Sequence, residues 1–300
     1  GSASADGTPY NYDSVTITVN SGVLNTLIGS NRTPGTIGTS NLIVNGGQVG
    51  MVVANQGTSD LSKIASTNNS GASSYGARSS YKVGTSNITV NGGTIGAIAG
   101  TFGYTQTDTV NMTVTGGTIT AQTSPVQSGI IVAGTNGQVG NATLKMTGGT
   151  TAGISLMQRT LVTGKVKLNI QGGAVGAIYA GSFYNDEECA SQTNNWGTWG
   201  VGSVNYGQAA AIDITIGKGV SYSNIYKGFQ YLDKAAFASK YPSAGANTQL
   251  AGSETAPLTL SLASDPTGLR GAKEQHTVSV LDASDSYISL QWQAAGVTLS

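Results

Sequence analysis

The sequence predicts an all-β protein, a right-handed parallel β-helix (a solenoid) of about seven or more rungs, with about 24 residues in each rung. Three observations predict this fold. A short alternation of apolar and polar residues recurs along the 300-residue chain, paired glycines follow nearly every copy, and a second apolar stretch comes after the glycines at a fixed offset. These units contain no helical periodicity, so they are typical of a coil built from strands.

Seven copies of the alternating segment lie between residues 17 and 219, the last of them degraded. Their last apolar residues are 25, 46, 24, 32, 24 and 46 residues apart, so the unit contains about 24 residues. These residues are Val19, Val44, Val90, Val114, Met146, Ile170 and Ile216. Because side chains alternate between the two faces of a strand, the pattern predicts that the seven residues form one buried column.

A unit of this length cannot bury its own apolar face, so consecutive units must stack, with each strand paired to its equivalent in the next unit. The glycine pair, such as Gly92 and Gly93, provides the backbone freedom that a corner needs. A propeller blade would need about 40 residues and four strands in every repeat, and a β-sandwich would not repeat its sequence. The stacked coil is therefore the predicted architecture.

Stacking also predicts two outward columns of side chains on this strand. They contain Thr16, Asn41, Asn87, Asn111, Thr143, Lys167 and Asp213 in one column, and Thr18, Ile43, Thr89, Thr113, Lys145, Asn169 and Thr215 in the other. Flat solenoids that bind ice carry outward threonine arrays. Here charges and mixed side-chain sizes interrupt both columns, which argues against ice binding.

Two steps of 46 residues contain a surplus after the second strand, at about 55–83 and 182–209. Each surplus is either an extra rung or an inserted loop. Their Ser, Asn, Gly, Tyr and Trp content without alternation favours loops. Both insertions would leave the same side of the coil, four rungs or about 19 Å apart at about 4.8 Å per rung. A smaller surplus near 121–129 leaves from a different corner.

The chain divides into three predicted parts: a tag or linker at 1–13, the solenoid at 14–221, and a C-terminal helix with strands at 222–300 that forms a cap or the last rungs. The helix is predicted over 222–241 because Ile225, Phe229 and Leu232 follow helical spacing, and strand-like alternation returns at 258–262,. A solenoid end exposes unpaired strand edges, which a cap would cover.

Composition excludes several classes of function. Fourteen basic and fourteen acidic residues give a formal charge of zero, so no net field attracts nucleic acid. No run of about 18 to 20 apolar residues is present, so no membrane insertion is expected. The single cysteine, Cys189, excludes an internal disulfide. We expect a monomer that needs no cofactor, apart from the calcium considered next.

An acidic run, Asp186, Glu187 and Glu188, lies in the second insertion. Three interpretations stay open: solvated loop charges, a Ca²⁺ site built from carboxylate oxygens, or an acid/base pair that cleaves polysaccharide. The outward strand positions carry mainly Thr, Asn, Lys and Gln. Since β-helical polysaccharide-cleaving enzymes usually carry their carboxylates on strand faces, we predict no catalytic residue on these faces.

Aromatic residues cluster in the same insertions. The candidate ligand-binding residues are Tyr184, Trp196, Trp199 and Tyr206 in the second insertion and Tyr75 and Tyr81 in the first. Flat rings offer an apolar surface to the C–H face of a sugar, and neighbouring amides and hydroxyls pair with its oxygens. The rings would equally well pack beneath their own loops. Both interpretations stay open.

The repeat Asn-Ile-Thr-Val-Asn-Gly-Gly-Thr-Ile-Gly at 87–96 resembles the Gly-, Asn- and Thr-rich β-helical regions of secreted and wall-anchored bacterial adhesins. The resemblance covers residues 14–216. It implies an extracellular adhesin, on the bacterial cell surface or secreted, that binds a glycan or another host or cell-surface component. The alternatives are a β-helical polysaccharide lyase or glycosidase and a purely structural stalk segment.

Overall fold

The computed structural model describes residues 10–30, 35–56, 81–102, 105–121, 129–135, 137–158, 160–180, 208–217, 220–223, 225–226, 258–263, 275–280, 292–294 and 297–299. Every regular element among these residues is a β-strand. The strands are β1 (Tyr10–Val19), β2 (Val23–Ile28), β3 (Gly35–Val44), β4 (Gln48–Gln56), β5 (Tyr81–Val90), β6 (Thr94–Phe102), β7 (Gln106–Val114), β8 (Thr118–Ile119), β9 (Ile130–Ile131), β10 (Gln138–Met146), β11 (Thr150–Ser155), β12 (Leu161–Ile170), β13 (Ala174–Tyr179), β14 (Gln208–Ile216), β15 (Ser221–Tyr222), β16 (Ile225–Tyr226), β17 (Leu258–Ala263), β18 (Gln275–Val280), β19 (Trp292–Ala294) and β20 (Val297–Leu299).

Two large sheets contain all but the last two of these strands. Sheet A has the order β1-β3-β5-β7-β10-β12-β14-β17-β18, and its pairs are parallel except β17 with β18. Sheet B has the order β15-β13-β11-β8-β6-β4-β2, with β9 and β16 paired alongside. Up to β17 the chain passes alternately from one sheet to the other. The protein is therefore all-β with two parallel sheets, an arrangement compatible with a parallel β-helix.

The buried column that the repeat predicts is confirmed. Val19 pairs with Val44, Val44 with Val90, and the pairing continues in register to Ile216. None of the seven side chains is more than 6 % exposed. Sheet B contributes the opposite wall of the same core through residues such as Val52, Ile98 and Ile154. The apolar half of each strand thus faces the space between the two sheets.

Both predicted outward columns of sheet A are confirmed as well. Each residue from Thr16 to Asp213 pairs with the next member of its column, as does each residue from Thr18 to Thr215. These side chains are exposed or half-buried, whereas the residues between them in each strand are mostly buried. The register of the sequence repeat is therefore the register of the sheet.

The steps of 46 residues each span one strand spacing in sheet A. β3 pairs directly with β5, and β12 pairs directly with β14. A third step of 46 residues leads from Ile216 to Leu262, and there β14 pairs directly with β17. No described strand lies between the members of these pairs. β4 reaches Gln56 and β5 begins at Tyr81, and β14 begins at Gln208. The first connection, 57–80, is therefore narrower than the predicted 55–83, and the second, 180–207, has the predicted length but begins and ends two residues earlier than 182–209. Residues 57–80 and 181–207 lie outside the described part.

Replacing residues 58–80 by a four-residue turn should preserve the fold, because β3 and β5 already pair without an intervening strand. Closing a shorter surface connection costs slightly less conformational entropy. The circular-dichroism strand signal and a cooperative thermal transition should both persist in this variant. Loss of the strand signal would mean that the removed residues are part of the stack.

The predicted helix is wrong at Tyr222, Ile225 and Tyr226, which belong to the strands β15 and β16. Tyr222 pairs with Val175, and the buried Ile225 pairs with Ile178, so this segment extends sheet B by one more strand position. Partial burial raises the pKa of the Tyr222 phenol. The rest of the predicted helix lies outside the described residues. At the other end β1 begins at Tyr10, inside the range assigned to a linker.

The smaller surplus interrupts sheet B. β8 and β9 both pair with β6 on one side and with β11 on the other. On β6, Ile95 lies beside Ile119 and Ile98 beside Ile130. Residues 120–129 separate the two short strands. At the end of sheet A, β18 pairs with β17 in the antiparallel direction. In the part of the chain that the structure describes, no helix has the length and apolar character that crossing a bilayer requires.

Candidate functional site

Most of the residues singled out as a binding site lie outside the described part of the chain. These are Tyr75, Tyr184, Trp196, Trp199, Tyr206, Asp186, Glu187 and Glu188. Tyr81 is the first residue of β5, where its Cα pairs with that of Gly35. The structure therefore shows only where the two segments that carry these residues begin and end. The described residues that flank the first segment are Gln56 and Tyr81, and those that flank the second are Ala180 and Gln208.

Both segments connect the end of a sheet B strand to the start of the next sheet A strand. Because the strands are parallel and in register, all such connections lie along one edge of the two-sheet stack, which we call the return edge. β5 and β14 are separated in sheet A by β7, β10 and β12. Four strand spacings correspond to about 19 Å.

Buried polar side chains fix the backbone along the return edge. Asn55 donates from Nδ2 to the Gln106 carbonyl (3.0 Å) and to Thr107 Oγ1 (3.0 Å). Thr101 donates from Oγ1 to the carbonyl of Ala133 (2.9 Å), which comes 32 residues later in the sequence but is adjacent in space. Gln56 Oε1 is buried there without a hydrogen-bond partner, which is unfavourable. The insertions thus begin from a polar, hydrogen-bonded edge.

A second candidate surface lies on the outer face of sheet A. The sequence motifs predict binding residues only in the insertions and do not identify this surface. Asn87 donates from Nδ2 to Asn41 Oδ1 (2.8 Å), and Asn111 donates to Asn87 Oδ1 (3.0 Å). Four residues further along the same strands, Asn45 donates to Asn20 Oδ1 (2.8 Å) and Asn91 to Asn45 Oδ1 (2.9 Å). The face therefore carries two asparagine ladders. The recurrence of asparagine at fixed repeat positions was the available signal.

Charge is distributed unevenly over the described strands. Lys145, Lys165 and Lys167 lie on the neighbouring strands β10 and β12, and Lys165 Nζ is 2.9 Å from Asp213 Oδ2 on β14. Another ion pair joins Lys82 Nζ to Asp108 Oδ2 at 3.1 Å. Both pairs are solvent-exposed, so each contributes at most about 1 kcal/mol. Lys145 and Lys167 leave this half of the face positively charged.

The described strands do not bring carboxylates together into a metal site or an acid/base pair. Among the described residues, no group of three His, Cys, Asp or Glu side chains comes together. Asp13, Asp108 and Asp213 are on β1, β7 and β14, which are not neighbours in sheet A. Two carboxylates that share a substrate would have to be close together. The acidic run at 186–188 lies outside the described residues.

No model of a known protein family, no curated protein and no solved structure matches the chain.

Proposed function

We propose that the protein is the binding module of an extracellular bacterial adhesin, either displayed on the cell surface or secreted. In this proposal the chain forms a right-handed parallel β-solenoid of seven or more rungs, which acts as a stiff support. Its insertions bind carbohydrate on a host or cell surface. The observation that carries the proposal is that both insertions with candidate aromatic residues, Tyr75 in the first and Trp196 and Trp199 in the second, leave from the return edge.

Stiffness follows from the hydrogen bonding of the two sheets. β3, β5 and β12 each pair with a neighbour on both sides, so their main-chain groups are linked along the stack. A continuous apolar core lies between the sheets. In a solenoid of this kind each repeat contacts its neighbours, and the stack behaves as one elongated body. Such a body holds the two insertions at a fixed separation.

The composition of the insertions supports carbohydrate as the ligand. Trp196 and Trp199, with Tyr184 and Tyr206, are four aromatic residues in a connection whose other residues are mainly Gly, Ser, Asn and Gln. Aromatic rings contact the C–H faces of sugars, and amides and hydroxyls pair with sugar hydroxyls. The first insertion, which contains Tyr75, leaves from the same edge, and a polymer that binds both segments gains overall affinity.

Trp196→Ala and Trp199→Ala should each weaken glycan binding by about 1 to 3 kcal/mol, as for other exposed aromatic hot spots. The melting temperature should change little, since the described strands pair without these residues. Trp292→Ala, which removes the third tryptophan, on β19, is the matched control and should bind normally. A glycan array identifies the ligand, and calorimetry or surface plasmon resonance then gives the affinities.

The same assay separates the alternatives. Retention on a polysaccharide without new reducing ends or unsaturated products is expected for a binding module, whereas such products would identify an enzyme that uses Asp186, Glu187 or Glu188. A purely structural stalk would bind no glycan. Normal binding by both tryptophan variants, or early unfolding of both, would show that the second insertion is not the binding site.

A further inference from the structure

From Ser14, Thr39, Thr85 and Thr109 to the ends of β1, β3, β5 and β7, the outer face forms a continuous uncharged surface. The charged residues Asp13, Lys82 and Asp108 precede this surface on the same strands. Three outward columns cross the four strands, and a fourth lies one residue past the strand ends, which together give a grid of sixteen side chains. The grid contains Ser14, Thr16, Thr18 and Asn20; Thr39, Asn41, Ile43 and Asn45; Thr85, Asn87, Thr89 and Asn91; and Thr109, Asn111, Thr113 and Thr115. Fifteen of the sixteen are Ser, Thr or Asn, and none is charged. We call this surface the neutral face.

The asparagine ladders hold the polar groups of the neutral face in fixed positions. Asn41, Asn87, Asn45 and Asn91 each use one amide N–H as donor and their carbonyl oxygen as acceptor within a ladder. A primary amide has two N–H groups and two acceptor positions. One donor and one acceptor position therefore remain on each of these residues. Their side chains are already ordered, so a ligand would not have to order them.

A strip of methyl groups lies between the two ladders. Thr18, Ile43, Thr89 and Thr113 form one column, which is flanked on one side by the ladder through Asn87 and on the other by the ladder through Asn91. Sugar rings combine C–H faces with hydroxyl groups at their edges. The strip suits the ring faces and the ladders suit the hydroxyls, since good sites combine apolar contact with a few placed polar groups.

We propose that the neutral face binds a linear, neutral polysaccharide that runs along the stack of strands. This inference rests on the proposed glycan-binding function and gives it a second contact surface, with a ligand class that the insertions alone do not specify. The strand spacing of about 4.8 Å repeats the same groups along the chain of sugars. An extended polymer would therefore meet an equivalent set of donors and acceptors at each strand.

The other half of the same sheet carries charged side chains, and this difference in charge favours a neutral ligand for the neutral face. Over β10, β12 and β14 the equivalent positions include Lys145, Lys165, Lys167 and Asp213. An acidic polymer would be attracted to that half, whereas the neutral face offers no cation to a carboxylate or sulfate. Covering an ionised group with an uncharged ligand is unfavourable, so a neutral polymer favours β1 to β7.

The test introduces charge into the middle of the methyl strip. Thr89→Glu and Thr89→Lys should both weaken retention on insoluble neutral polysaccharides, cellulose, chitin and mannan, about tenfold or more, because either charge would lose water under the ligand. Thr215→Glu is the matched control, since Thr215 lies in the same outward column on β14. It should bind like the wild type. Thermal melts verify that all variants are folded.

Each outcome decides the inference. If both Thr89 variants bind as well as the wild type while Trp196→Ala still binds less, the proposal for the neutral face is overturned and the proposed function stays intact. Stronger binding of polygalacturonate by Thr89→Lys, with no loss on neutral polymers, would indicate an acidic ligand instead. Absence of wild-type binding to every neutral polysaccharide would overturn the neutral face, and absence of binding to the glycan array as well would overturn the proposed function. Ice shaping by the wild type in that case would assign the face to ice.

Discussion

Replacing Val90 by aspartate is expected to lower the free energy of unfolding by about 3 to 5 kcal/mol, because it leaves a carboxylate in the core without a cation. Val90 is fully buried, and its column neighbours Val44 and Val114 are 0 % and 1 % exposed. Urea denaturation followed by circular dichroism measures the change. The midpoint should shift to much lower urea concentration.

Thr89→Asp is the matched control for this variant, since Thr89 is the preceding residue of β5 and lies on the outer face. A solvated carboxylate there should cost less than about 1 kcal/mol, in the range of exposed sheet substitutions. Equal effects at the two positions would contradict the assignment of one face to the core and the other to solvent.

The second large effect is expected at Gly134, on the return edge. Its φ of +96° is a conformation that favours glycine, and an added Cβ would overlap the backbone N and O of Thr101. Thr160 Oγ1 donates to the Gly134 carbonyl (2.7 Å), which ties the position to the next strand. Gly134→Ala should therefore destabilise the protein by about 3 kcal/mol or more, from backbone strain and overlap together.

Gly22→Ala isolates the strain from the overlap. Gly22 has the same φ of +96°, but an added Cβ would meet no atom within 4 Å. Its substitution should cost about 1 to 2 kcal/mol, the cost of a left-handed conformation alone. Calorimetric or urea-induced unfolding of the two variants gives the difference directly. A Gly134 variant as stable as the Gly22 variant would mean that the Thr101 backbone moves aside at little cost.

The repeat allowed the register of seven strands of sheet A, β1, β3, β5, β7, β10, β12 and β14, to be predicted to the residue. Strands that stack in parallel without slipping keep equivalent residues opposite each other, so an alignment of Val44, Val90 and Val114 in the sequence is also their alignment in space. A shift by one residue would turn the apolar side chains outward, and burial therefore fixes the register. The outward columns follow from the same alignment.

The prediction failed where a repeat lost its apolar pattern. Ser221 and Tyr222 stand where earlier repeats have residues such as Ala174 and Val175, so the copy was not recognised, and Ile225 was assigned to a helix because apolar residues follow it at helical spacing. Pairing with β13 determines its structure instead. A tertiary contact of this kind overrides local spacing.

The candidate site was less predictable than the fold. Trp196 and Trp199 lie in a connection that has no equivalent in the other repeats, so no register relates them to a strand. The asparagine ladders had a visible signal, since Asn41, Asn87 and Asn111 stand at one repeat position. Whether such amides bond to each other depends on side-chain rotamers, which the repeat pattern does not specify.

The unequal spacing of the strands has a consequence for the order of assembly. β5, β7, β10 and β12 are joined by steps of 24, 32 and 24 residues, whereas the steps on either side, from β3 and to β14, contain 46. Closing a connection twice as long costs about 0.6 kcal/mol more in conformational entropy. Since each strand gains stability only from its neighbours, folding is expected to nucleate within these four strands, and the outer strands join a nucleus that already exists.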